Sequence, residues 1–149
     1  MKQLFVAAAV ACLVAVLGGA AAPGEKDKSI PKKEPPMFKA VVHVNFSDVE
    51  RQKNGLKNVS NMVKEVKENF EIEVVCHGGG IGLLVKDQSQ NAAEVDRLGK
   101  VGVRFVACEN TMRDKGISKD RLLAGVATVA SGAVEVVRKQ QEGYGYFKP

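Results

Sequence analysis

Cys108 is the residue of this 149-residue chain whose position best suits chemistry. It follows the apolar run 103–107 (VRFVA), a predicted strand, and it precedes a short helical segment that begins at Asn110. The free N–H groups at a helix start carry partial positive charge and stabilise an anion. A thiolate at Cys108 would therefore have a lowered pKa, and a persulfide would be held in the same way, with Asn110, Thr111 and Arg113 as anion-binding candidates. The alternative interpretation is a buried cysteine that only packs.

A second group of candidate residues ends another predicted strand, 71–76 (EIEVVC). Cys76 is a possible redox partner of Cys108, which requires their Cα atoms to lie within about 7 Å. Otherwise Cys76 packs in the core and His77 begins a turn. The residues after it are Gly78, Gly79 and Gly80. Glycines permit positive φ and close backbone approach, and their N–H groups can also bind a small anion.

Metal and cofactor chemistry have weaker signals in this sequence. His43, Cys76, His77 and Cys108 have the ligand types that suit zinc or copper, but no pair has the short spacing of a zinc motif. No nucleotide-binding fingerprint is complete. The strip 77–80 (HGGG) is found in some esterases, whose G-x-S-x-G nucleophile turn is missing from this chain. We therefore predict no metal and no cofactor.

The elements that must position these residues alternate between strand and helix patterns. We predict strands over 38–46, 71–76, 103–107 and 126–129, helices over 49–69, 92–101, 110–115 and 132–141, a helical turn over 119–124, and a final edge strand over 144–149. The apolar run 83–85 fits either state. This alternation predicts a single compact α/β domain with a mostly parallel sheet and helices on both faces. Ligands gather at the carboxyl ends of such strands, where Cys76, the glycine turn and Cys108 all fall.

The first residues have the pattern of an export signal. Lys2 precedes the apolar run 4–17, and small residues follow, so we predict a signal peptide over 1–22. An uncleaved membrane anchor is the alternative. Residues 23–36 are rich in proline and charge, which predicts a flexible linker before a domain over 37–149. The mature protein is then expected in the periplasm or otherwise exported, without Cys12 and without a membrane segment.

Composition limits the partner classes. The formal net charge is +5, there is no Trp, and aromatic residues make up 5% of the chain. Stacked rings that bind single-stranded nucleic acid are therefore not expected, and we predict no nucleic-acid partner. The two cysteines outside the signal are too few for a disulfide-built scaffold.

Several motifs resemble the DsrE/DsrF-like family. They are 108–117 (CENTMRDKGI), 122–126 (LLAGV), 131–135 (SGAVE), 74–81 (VVCHGGGI) and 141–149 (QEGYGYFKP). The resemblance, to what would be an exported branch, covers roughly 38–149. It implies an α/β sandwich that forms homo-oligomers, often trimers or hexamers. In the sulfur-relay members a cysteine at this place accepts and passes on sulfur as a persulfide.

Carried over to this chain, that role falls on Cys108, with a thiol or sulfur-donor protein as partner. Whether the protein is an enzyme stays open. The alternatives are a non-catalytic module that binds a small anion or a metal, and an oligomeric structural protein.

Overall fold

The computed structural model describes residues 37–67 and 69–149. The predicted signal peptide (1–22) and linker (23–36) lie outside the described residues. The strands are β1 (Phe38–Val44), β2 (Phe70–Cys76), β3 (Arg104–Cys108), β4 (Ala127–Val129) and β5 (Gly145–Phe147). They form one sheet in the order β4-β3-β2-β1-β5, and every neighbouring pair is parallel. The predicted α/β fold with a mostly parallel sheet is confirmed.

Four α-helices connect the strands: α1 (Val49–Val66), α2 (Ala92–Lys100), α3 (Glu109–Asp114) and α4 (Gly132–Gln141). Asp48 caps α1 with a carboxylate that accepts a hydrogen bond from the Arg51 N–H at 2.6 Å. Ser131 caps α4 by accepting one from the Val134 N–H. Helix α1 ends three residues before its predicted end because Lys67 has a φ of 63°, outside the helical region.

The larger core lies on the sheet face that α1, α2 and α3 cover. Successive strand side chains point to opposite faces, so one alternate set from β1, β2 and β3 enters this core. That set comprises Ala40, Val42, Val44, Ile72, Val74, Cys76, Phe105 and Ala107. It packs against buried apolar residues of the helices, including Leu56, Val95 and Met112. Burial of this apolar surface is the main stabilising contribution to the fold.

A smaller core lies on the other face, beneath α4. Val41, Val75 and Val106 come from the three central strands and pack with Val136 of α4. Helices therefore cover both faces of the sheet, as predicted. The residue two positions after each of these three valines points toward α4 as well.

Two boundaries near the candidate residues differ from the sequence expectations. The undecided run 83–85 belongs mostly to a 3-10 helix, Gly78–Leu84, and Val85 forms an isolated bridge with Leu122. Strand β3 includes Cys108, whose Cα pairs with Val129 of β4. The reactive candidate is therefore anchored in the sheet. No helix among the described residues is long and apolar enough to cross a membrane.

Candidate functional site

A row of polar side chains crosses the α4 face of the sheet near its carboxyl end. Cys76 pairs with Ala107, so His77 continues this register opposite Cys108. His43 lies on the next strand, two residues after Val41, and Tyr146 lies on β5, paired with Val41. We call Cys108, His77, His43 and Tyr146 the polar row. Each comes from, or directly follows, a different one of four adjacent strands.

The sulfur of Cys108 lies between the starts of two helices, although the side chain is only 4% exposed. Burial by itself raises the pKa of the Cys108 thiol. The nearby N–H groups of Gly132 in α4 and of Thr111 and Asn110 in α3, together with the Thr111 hydroxyl, outweigh burial, so the pKa lies below its ordinary value. The predicted lowering of the pKa therefore has a defined set of donors.

Thr111 connects the glycine turn to the thiol. Its buried hydroxyl oxygen accepts a hydrogen bond from the Gly78 N–H at 2.9 Å. Because a hydroxyl donates one hydrogen bond while it accepts others, this contact leaves the Thr111 hydrogen free to point at the Cys108 sulfur. The Gly78 N–H therefore polarises the Thr111 hydroxyl as a donor to a thiolate.

The glycine turn packs closely against the end of β1. A β-carbon on Gly80 would lie 2.2 Å from the Val44 carbonyl oxygen, and Gly78 has a φ of +52°. The expected need for close approach and positive φ is confirmed. The Gly80 N–H donates to the His77 carbonyl at 2.9 Å and the Gly78 N–H donates to Thr111. These two amides are thus used inside the fold and are not available to bind a small anion; Gly79 is exposed.

Cys76 and Cys108 are both free thiols and point to opposite faces of the sheet. Cys76 pairs with Ala107, the residue before Cys108, and its side chain enters the larger core with 0% exposure. Burial raises the pKa of the Cys76 thiol far above its ordinary value. The structure therefore does not bring Cys76 to Cys108, and the hypothesis of a redox pair is corrected: Cys76 is a packing residue.

Asn110, Thr111 and Arg113, the residues expected to bind an anion beside Cys108, differ in their contacts. The exposed Arg113 side chain donates to the Asn110 side-chain oxygen instead of reaching the sulfur. The Asn110 N–H donates mainly to the Ala130 carbonyl at 3.2 Å. Glu109, adjacent to Cys108, turns away to accept from the Thr128 hydroxyl at 2.7 Å. Of the three residues predicted after Cys108, Thr111 is the one whose side chain joins the site.

The two histidines of the polar row face each other through their ring nitrogens. His43 Nε2 lies 2.6 Å from His77 Nε2, and the ring planes are 18° apart. The other nitrogen of His43, Nδ1, lies 2.8 Å from the Tyr146 hydroxyl. Burial, the His77 ring and the charge of Lys148 lower the pKa of His43, and burial and Lys148 lower the pKa of His77. Both rings are therefore neutral near pH 7.

The sequence analysis missed Gly132 and Tyr146. Gly132 lies over the thiol so tightly that a β-carbon there would be 3.0 Å from the His77 β-carbon and 3.2 Å from that of Cys108. The only sequence signal was the Ser131 cap that places Gly132 at the helix start. Tyr146 had none, because the pairing of β5 with β1 joins residues about a hundred positions apart.

A metal site is not formed in the part of the chain that the structure describes. No group of three or more His, Cys, Asp or Glu side chains there is arranged to hold a metal ion. The four ligand types noted in the sequence are divided by the sheet, since Cys76 lies on the face opposite the two histidines and Cys108.

Comparisons with known proteins agree with this fold. The DsrE/DsrF-like family model matches residues 39–149, and the chain belongs to this family. It is similar to the solved structure of a protein of unknown function, MTH1491, from Methanobacterium thermoautotrophicum. That match has 38% identity and a TM-score of 0.71, and it covers 75% of this chain and 99% of that one.

The ychN protein from E. coli shares the fold at 17% identity and a TM-score of 0.66, with 76% of this chain and 100% of that chain covered. No curated protein matches this chain. Family membership makes sulfur relay the activity to consider.

Proposed function

We propose that this protein carries sulfur as a persulfide on Cys108. The observation that supports it is the set of donors on the Cys108 sulfur, which come from the first residues of two helices and lower the pKa of the thiol. Such donors stabilise a thiolate and would equally stabilise the terminal charge of a persulfide. A cysteine that only packs needs none of them, as Cys76 shows.

The proposed loading step is thiol–persulfide exchange. The Cys108 thiolate attacks the outer sulfur of a donor R–S–SH, and a new S–S bond forms to Cys108. The donor's own S–S bond breaks, and its electron pair leaves with R–S⁻. Discharge repeats this exchange, with an acceptor thiolate attacking the outer sulfur on Cys108. No external oxidant is consumed, because the transferred sulfur keeps its oxidation level.

We also propose that the protein is exported and that it forms a homo-oligomer. The apolar run and small residues of 1–22 support export, so the donor and acceptor would be thiols outside the cytoplasm. Family membership supports a homo-oligomer. Neither point affects the chemistry at Cys108, which the described residues supply from a single chain.

The test is intact-mass measurement of the mature protein, purified without reductant, after exposure to polysulfide. The wild type and Cys76→Ser should each gain one or more sulfur atoms, and Cys108→Ser should gain none. A wild type that gains no sulfur, with Cys108 shown to be a free thiol, would reject sulfur carriage.

A further inference from the structure

We infer that His77, His43 and Tyr146 form a proton relay that serves the sulfur on Cys108. This inference rests on the proposed function and deepens it, since it assigns the proton transfers that thiol–persulfide exchange requires. It is carried by the polar row, in which three side chains connect the neighbourhood of the thiol to an exposed hydroxyl. Tyr146 is 46% exposed, so the far end of the row reaches solvent.

Each link beyond His77 is within hydrogen-bonding distance. His77 Nε2 lies 2.6 Å from His43 Nε2, so one of these two nitrogens carries a proton and the other accepts it. His43 Nδ1 lies 2.8 Å from the Tyr146 oxygen. Both nitrogens of His43 are thereby used, whereas His77 uses Nε2 for the row and has Nδ1 left for a proton at the other end.

The row has two proton arrangements, in which both hydrogen bonds have opposite directions. In the first, His77 donates to His43, His43 donates to Tyr146, and His77 Nδ1 has a free electron pair. In the second, Tyr146 donates to His43, His43 donates to His77, and His77 Nδ1 carries a proton. The first arrangement becomes the second when His77 Nδ1 binds a proton, each bridging proton shifts to the next heavy atom, and Tyr146 releases its hydroxyl proton. The same residues therefore act as base and, in reverse, as acid.

The position of His77 beside the thiol makes that exchange useful. Gly132 holds both residues under the first turn of α4, since its absent β-carbon would contact the β-carbons of His77 and Cys108 at 3.0 and 3.2 Å. The Gly132 N–H is also among the groups that lower the pKa of Cys108. In the proposed relay, the second sulfur on a loaded Cys108, or one water molecule, would connect the sulfur to the His77 ring.

The proton balance follows the exchange step. Attack of the Cys108 thiolate on R–S–SH gives Cys108–S–SH and R–S⁻. Nδ1 of His77 takes the proton of Cys108–S–SH, which leaves a persulfide anion, and the row releases a proton through Tyr146. R–S⁻ takes one proton from solvent. During discharge the same row runs backward and returns a proton.

Burial and the nearby charge of Lys148 favour the neutral forms of His43 and His77. Lys148, which follows β5, lowers the pKa of both histidines, and His77 lowers that of His43. Tyr146 on β5 and Cys108 on β3 are the other two titratable members of the row. The row therefore starts neutral at pH 7 and can accept one proton without first losing one.

The experiment measures the rate of sulfur uptake from polysulfide as a function of pH for the full chain. His77→Gln should lower the rate near pH 7 by about 10²-fold, the range of general acid–base catalysis, and flatten its dependence on pH. His43→Gln and Tyr146→Phe should give smaller decreases. The pKa of Cys108, from the pH profile of iodoacetamide alkylation, should change little in each variant.

Chemical rescue separates proton transfer from a structural role. Added imidazole should restore sulfur uptake in His77→Ala but not in Cys108→Ser. A wild-type pH profile in His77→Gln, or a failed rescue in a folded His77→Ala, would overturn the relay while leaving sulfur carriage intact. A wild type that takes up no sulfur would instead overturn the proposed function, and the relay with it.

Discussion

The Gly132 backbone approaches Cys108 so closely that a β-carbon on Gly132 would lie 3.2 Å from the Cys108 β-carbon. The same β-carbon would be 3.0 Å from that of His77. Cys108 belongs to β3 and His77 directly follows β2, so neither β-carbon can move easily. The first turn of α4 can thus direct its N–H to the sulfur only because residue 132 has no side chain.

Gly132→Ala should therefore weaken the site and the fold together. Overpacking at a tight contact costs about 1–3 kcal/mol, and a displaced α4 would withdraw its N–H from the sulfur. The free energy of unfolding should fall by this amount in urea denaturation, and the pKa of Cys108 should rise. Gly99→Ala is the matched control, because Gly99 lies in α2 with nothing within 4 Å of the added β-carbon. It should be stabilising by about 0.5–1 kcal/mol.

Native alkylation should distinguish the two cysteines. Cys108 should react with iodoacetamide with a midpoint below the ordinary cysteine pKa of about 8.5, because backbone and hydroxyl donors stabilise its thiolate. Cys76 should stay unmodified until the protein is unfolded, because it is fully buried. Peptide mass mapping after a timed reaction checks both. Equal labelling of the two residues in the native protein would contradict the assigned environments.

Thr111→Val should raise the pKa of Cys108 toward its ordinary value, because the variant removes the hydroxyl that donates to the sulfur. It also leaves the Gly78 N–H without its partner, which costs about 1–3 kcal/mol when the group is buried. Thr111→Ser keeps the hydroxyl and should keep the low pKa. Alkylation rates measured between about pH 5 and 10, a range that includes the ordinary thiol pKa of about 8.5, compare the three proteins. An unchanged pKa in Thr111→Val would remove Thr111 from the site.

Glu73 and Glu135 are two buried carboxyl groups away from the Cys108 site. Substitutions of the two should change the thermal stability in opposite directions. Burial and the neighbouring Glu135 raise the pKa of Glu73 despite its 2.8 Å ion pair with Arg104. Burial also acts to raise the pKa of Glu135, but the Arg138 guanidinium outweighs it and holds that pKa below its ordinary value.

For Glu73 the folded state holds its proton more tightly than the unfolded state, so its contribution to stability is lost as pH rises through the folded pKa. For Glu135 the contribution is present above the ordinary pKa of 4.5 and is lost as pH falls through the lower folded value. Glu73→Gln should therefore raise the Tm at pH 7.5 and not at acidic pH. Glu135→Gln should lower the Tm at pH 7.5. Thermal melts at several pH values check both signs, and like signs would contradict the assignment.

The sequence was sufficient for the strand and helix order because apolar periodicity is a local signal. Helix α4 begins and ends where its pattern predicted, at Gly132 and Gln141. The Cys108 site was predictable for the same reason, since a strand end and a helix start are adjacent in the chain. The contributions of Gly132 and Tyr146 were not, because they depend on sheet register and helix packing between distant segments.

The sequence could not decide whether Cys76 pairs with Cys108 or packs in the core, for a related reason. Strand ends alone do not give the face on which a side chain lies, and a shift of one residue in register exchanges the two faces. Cys76 aligns with Ala107, so that one-residue offset separates the two thiols.

The location of the two cysteines on opposite faces of the sheet affects how long a persulfide sulfur would stay on Cys108. A persulfide next to a second thiol can discharge itself, since that thiol forms a disulfide and expels hydrogen sulfide. In residues 37–67 and 69–149 the second thiol is Cys76, sealed on the far side of the sheet. Within these residues a loaded Cys108 would therefore have no second thiol to react with, and the sulfur would stay until another molecule brings a thiol.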